Sequence, residues 1–100
     1  MHVHGRKLLT IVTEASLEQL LVEDLERLGA HGFTITDARG KGARGVRSSA
    51  WQPSANIRIE VVCDESTASA IAGHLRQQYY AHYAMILFVA DVGVLRPDKF

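Results

Sequence analysis

The order in which apolar patterns follow one another constrains this chain more than any single residue does. "KLLTIVT" (7–13) has the β-branched and apolar makeup of a strand. Ser16 is placed to cap a helix, with Gln19 completing a capping-box spacing. Leu17, Leu20, Leu21, Leu25 and Leu28 then recur at helical intervals, and Gly29 suits the C-terminal stop. "GFTITD" (32–37) sets Phe33 and Ile35 against Thr34 and Thr36, as a half-buried strand should. "NIRIEVVC" (56–63) puts Ile57, Ile59, Val61 and Cys63 on one face. Asp64 or Ser66 can cap a second helix, lined on one side by Ala68, Ile71, Ala72 and Leu75. "AMILFVADV" (84–92) closes the series, apolar on both faces. The expected fold is α+β with ferredoxin-like βαββαβ order: two helices on one face of an antiparallel sheet, and a long loop between strands two and three.

Length and composition bound what such a chain can be. At 100 residues it forms a single domain, 1–100, just large enough for one core. Its apolar share, 47%, argues against disorder. No run approaches the roughly 20 apolar residues a membrane span requires, so no membrane insertion is expected. The start "MHVHGRK" carries no apolar signal region, which points to a cytoplasmic location. Cys63 is the single cysteine, which excludes an internal disulfide and any Cys-x-x-Cys site. The net charge of zero argues against a nucleic-acid binder, which usually carries a basic surplus.

The charge is unevenly placed, however. Residues 38–55 hold Arg39, Lys41, Arg44 and Arg47 with no acid, a local charge of +4. Strands two and three are consecutive, so two to five residues would join them. About eighteen are spent instead, rich in glycine. A neutral protein that gathers its cations on one glycine-rich loop fits a localised anion site better than bulk attraction. The bland alternative is a solvated, solubilising loop.

Several functions open to this fold fail by absence. An RNA-recognition module stacks bases on aromatic residues of strands one and three, and those strands have none. A Walker-type phosphate loop needs Gly-Lys-Ser/Thr opening a helix, whereas "GKGARG" leads into a loop. No Ser-His-acid or paired-carboxylate set can be drawn, so nothing reads as catalytic. His2 and His4 read as a frayed end rather than a metal grip, and no metal site is expected. His74 reads as a helix-surface residue and His82 as a loop residue. Tyr79, Tyr80 and Tyr83 fit core or subunit contacts, and Cys63 a small core residue.

"GFTITDARGKGARG", "NIRIEVVC" and "LFVADV", in this order and spacing, resemble the PII signalling family from about Lys7 to Leu95. "KLLTIVTE", "GAHGFTI" and "GKGARGVRSS" look most like its PII-like branch tied to inorganic carbon. That branch includes regulators of bicarbonate transport and carboxysome-associated proteins. The resemblance implies a homotrimer that binds adenine nucleotides in clefts between subunits, with no tightly bound cofactor. It makes the segment at about 38–55 the T-loop, which docks on target proteins, and about 80–85 the B-loop, which contacts phosphates. Thr34 then lines the adenine pocket, Gly40 and Gly42 let the backbone pass the nucleotide, and the Cys63 backbone meets adenine. The B-loop region, with Tyr83, Ala84 and Met85, borders the phosphates.

Three departures limit what carries over. Nitrogen-sensing PII proteins have a Gly-Asp-Gly-Lys phosphate grip in the B-loop, and this chain has "YAMI" (83–86). The T-loop also lacks the tyrosine that enterobacterial relatives uridylylate. Glutamine, 2-oxoglutarate and Mg-ATP chemistry are therefore not expected, and "LRPDKF" lacks the cysteine-bearing tail of some transporter-linked relatives.

Physical chemistry and resemblance converge on a non-enzymatic sensor. Its cationic loop closes over AMP, ADP, cyclic AMP or ATP, with bicarbonate as a candidate second ligand. Arg44 and Arg47 offer forked donors for phosphate, and Lys41 a point charge. The target implied is a bicarbonate transporter or a carboxysome-related protein. The alternative from another class is an interaction module whose basic loop docks on an acidic partner without a small ligand. A weaker third reading is an esterase or nucleotide hydrolase.

Overall fold

A computed structural model describes residues 1–40 and 55–100. Strand β1 runs His4–Glu14 and leads through a 3-10 turn at Ala15–Leu17 into helix α1, Glu18–Arg27. Strand β2 is Thr34–Ala38 and β3 is Asn56–Cys63. Helix α2, Glu65–Tyr79, then returns the chain to β4, Met85–Val94. The sheet order is β2-β3-β1-β4, with every neighbouring pair antiparallel. This is the expected βαββαβ arrangement.

One face of the sheet makes the core. The register sets Leu9 opposite Val61, Ile11 opposite Ile59 and Thr13 opposite Ile57, and all six are buried. Leu17, Leu21 and Leu25 from the first helical segment close over them, with Ala68, Ile71, Leu75 and Tyr79 from α2. Periods of two and 3.6 thus meet on one surface, which is what an amphipathic strand and helix require of each other. Ala72, expected on the same side, is only half-buried.

Helix ends follow local chemistry, with one correction. Gly29 adopts φ +100, and Ala30 N–H donates to Leu25 O at 3.0 Å while Gly29 N–H donates to Glu26 O at 3.3 Å. That is the Schellman arrangement that positive φ permits. Asp64 caps α2, its Oδ1 accepting from Thr67 N–H at 2.8 Å. Ser16 does not cap α1. It lies inside the 3-10 turn that β1 enters directly, and no side-chain cap bond forms there. Gln19 instead donates to Glu23 one turn on, at 3.1 Å.

Strand bounds shift as well. β1 starts at His4 and β4 ends at Val94, because their pairing continues to His4↔Val94. Ala38 still pairs with Asn56, so the long loop begins at Arg39 and not at 38. Met85 pairs with Thr13 and belongs to β4, which ends the turn before that strand at 84.

Candidate functional site

Two parts of the expected site lie at one end of the sheet. Gly40 follows the end of β2, and nothing lies within 4 Å of where its Cβ would be. The turn at 80–84 feeds β4 at the same end, beside the close of β1. β2 and β4 are the two edges of the sheet. Three strand spacings, about 14 Å, therefore separate the parts within one copy.

The turn at 80–84 is fastened by its own backbone. His82 N–H and Tyr83 N–H both donate to Tyr79 O, at 3.1 and 3.0 Å. Ala84 is held from both sides: Thr13 Oγ1 donates to its carbonyl at 2.8 Å, and its N–H donates to Glu14 Oε2 at 3.3 Å. Tyr83 packs against the core and meets the Tyr79 ring at a centroid distance of 6.0 Å.

Behind the turn, a polar cluster joins the helices. Asp24 of α1 accepts from Tyr79 Oη at 2.5 Å and from Arg27 Nη2 at 3.2 Å, and its Oδ2 lies 3.2 Å from His74 Nε2. Burial alone would raise the Asp24 carboxyl, but the bonds from Tyr79, Arg27 and His74 outweigh it and hold it below the usual range. Burial, and then the Asp24 carboxylate, push the Tyr79 hydroxyl up to about 12. His74, expected as a plain surface residue, is half-buried in this cluster.

The remaining expected residues are scattered. Thr34 is exposed at the start of β2, opposite Glu60 and on the side of the sheet away from the helices. The Cys63 side chain is buried on the helix side at the far end of β3. Burial, with the nearby Asp64 charge, pushes its thiol up, which favours the neutral form. Lys41, Gly42, Arg44, Arg47 and Trp51 lie outside the described residues. An open cleft of about 340 Å³ at the opposite end is lined by none of the described residues expected at the site. It is lined by Arg6, Lys7, Asp64, Glu65 and Asp91, and Lys7 is bonded to Asp91 there and lies 3.7 Å from Glu65. That mutual neutralisation leaves little charge for a ligand.

Thr13 and Glu14 escaped the sequence reading. They end an apolar strand with no local motif, and their partner Ala84 is about 70 residues away.

Comparison with known proteins decides the family. The model for nitrogen regulatory protein P-II matches residues 6–99. The chain belongs to the PII family. A candidate PII-like signalling protein from Thermus thermophilus is 47% identical with a TM-score of 0.83, over 100% of this chain and 99% of that one. The PII-like protein CPII of Thiomonas intermedia, solved with ADP and bicarbonate, is 27% identical with a TM-score of 0.86, over 99% of this chain and 97% of that one. A further structure of that protein, holding ADP, AMP and bicarbonate, matches at 26% identity and a TM-score of 0.85, over 99% and 96% of the two chains. This PII-like chain thus shares nearly its whole fold with a binder of adenine nucleotides and bicarbonate.

Proposed function

We propose that this PII-like chain is a cytoplasmic, non-enzymatic signalling protein that acts as a homotrimer. It binds AMP or ADP, and bicarbonate, in clefts between subunits, and its T-loop reports occupancy to a protein of inorganic-carbon uptake or fixation. The observation that carries this reading is the match to CPII, whose structures hold ADP, AMP and bicarbonate.

The geometry of a single copy supports a shared site. Gly40 and the turn at 80–84 stand at opposite sheet edges, too far apart to close one pocket. A closed ring uses heterologous contacts, so two different surfaces of the chain meet at each interface, and we take them to be the β2 edge of one copy and the β4 edge of the next. In such a cleft one copy contributes Thr34 and Gly40, and the Cys63 backbone and the cations Lys41, Arg44 and Arg47 are the further groups assigned to the nucleotide from that copy. Tyr83, Ala84 and Met85 come from the other.

Calorimetry with AMP, ADP and ATP, with and without bicarbonate, tests the reading. Binding of AMP and ADP at least as tight as that of ATP is expected, because no lysine stands in "YAMI" to grip a third phosphate. A charge-assisted hydrogen bond contributes roughly 1.5–3 kcal/mol, so Arg44→Ala or Arg47→Ala should weaken binding about ten- to a hundredfold. Lys41→Ala should cost less, since an ammonium lacks the guanidinium fork. No binding of any nucleotide overturns the sensor and favours a module whose basic loop docks on an acidic partner.

A further inference from the structure

Turns that hold phosphate do so with free backbone N–H groups and cations. The turn at 80–84 offers neither at its β4 end. The N–H groups of His82 and Tyr83 are spent on Tyr79 O, and that of Ala84 on Glu14. Its sequence, "YAHYA" (80–84), contains no lysine or arginine. The acceptor on Ala84 is itself an anion, seated where a phosphate oxygen would have to sit to use that N–H.

We infer that Glu14 is a specificity-determining residue, whose carboxylate occupies the anion seat of this turn and turns away nucleotides with longer phosphate chains. The inference rests on the nucleotide reading above and explains its preference by a charge present in the chain, beyond the lysine it lacks. Thr13 adds a second anchor by donating to the Ala84 carbonyl at 2.8 Å, which holds that residue beside the end of β1. A terminal phosphate approaching this wall meets a like charge at close range. At an effective dielectric between those of protein and water, that repulsion changes affinity by about tenfold.

The test uses the full-length protein and measures Kd for AMP, ADP and ATP by calorimetry, at low and high salt. Glu14→Gln keeps an oxygen acceptor for Ala84 N–H and removes only the charge. Its ATP affinity relative to AMP should rise about tenfold, and the gain should shrink as salt screens the parent's repulsion. Thr13→Val loosens the turn but leaves the Glu14 charge in place, so it should shift the ratio much less than Glu14→Gln does. A Glu14→Gln protein with the parent's ATP-to-AMP ratio overturns the inference and leaves the nucleotide reading standing. A shift equal at both salt levels also overturns it, because the effect is then one of shape. A parent that binds none of the three overturns the reading and this inference together.

Discussion

Tyr79 and Asp24 make a short contact that joins the two helices. Their 2.5 Å bond ties the last residue of α2 to α1, and the next residues form the turn that carries Ala84. A hydrogen bond to a charged group contributes about 1.5–3 kcal/mol, so Tyr79→Phe should destabilise by an amount in that range, read as a lower denaturation midpoint. The pH dependence has two sides. The Asp24 carboxyl is held low, so its contribution is present above the ordinary carboxylate pKa and fades as pH falls through the depressed value. Tyr79 is raised to about 12, so its contribution is complete below about pH 10 and is lost as pH rises from there toward 12. Denaturation midpoints across pH should show both losses in the parent. Tyr79→Phe should show a smaller alkaline loss than the parent, the remainder coming from groups such as the raised Cys63 thiol, and a parent curve flat at high pH would count against the contact.

At the scale of elements, helix ends and strand faces are where local chemistry can be tested. Asp64→Ala removes the α2 cap and should cost about 1 kcal/mol. Gly29→Ala forces a Cβ onto a backbone at φ +100, so it should destabilise by a similar amount, about 1 kcal/mol. The space around Gly29 is open, so backbone conformation and not crowding sets that cost. A Gly29→Ala protein with an unchanged melting temperature would show that the helix end refolds cheaply. These ends also separate what was legible from what was not. The stop at Gly29 and the cap at Asp64 follow from residues within one turn and were readable. The start of α1 was not, because β1 runs straight into a 3-10 turn and Ser16 never reaches a capping position.

At the scale of the molecule, the helices cover only one face of the sheet. The other face exposes Ile86 at 55% and Phe88 at 46%, with Leu8 and Val12 beside them on β1. Thr10 on that face is fully buried between Glu60 and Phe88, and its hydroxyl has no partner among the described residues. Toward the β2 edge the surface turns polar, with Thr34, Thr36, and Arg58 lying 3.5 Å from Glu60. An apolar half-face of this kind is costly to leave in water, and a second and third copy would cover it. Light scattering should give a trimer for the parent and smaller species for Phe88→Glu, which places a charge in that face. A parent that stays monomeric at micromolar concentration would overturn both the assembly and the shared cleft.

The sequence by itself determined which faces are apolar, the order of the elements and the loop that gathers the cations. Ile57, Ile59, Val61 and Cys63 all proved buried because period-two alternation is a property of neighbouring residues and needs no knowledge of partners. Only the tertiary structure decided which side chain meets which across the chain. Glu14 reaches Ala84 and Asp24 reaches Tyr79 over sequence separations of 70 and 55 residues. It also put Thr34 and Cys63 on opposite sides of one sheet, and Gly40 and the 80–84 turn at opposite edges. Periodicity follows from backbone geometry within a few residues. Long-range contacts exist only once the sheet register and helix packing have fixed the distances between distant segments.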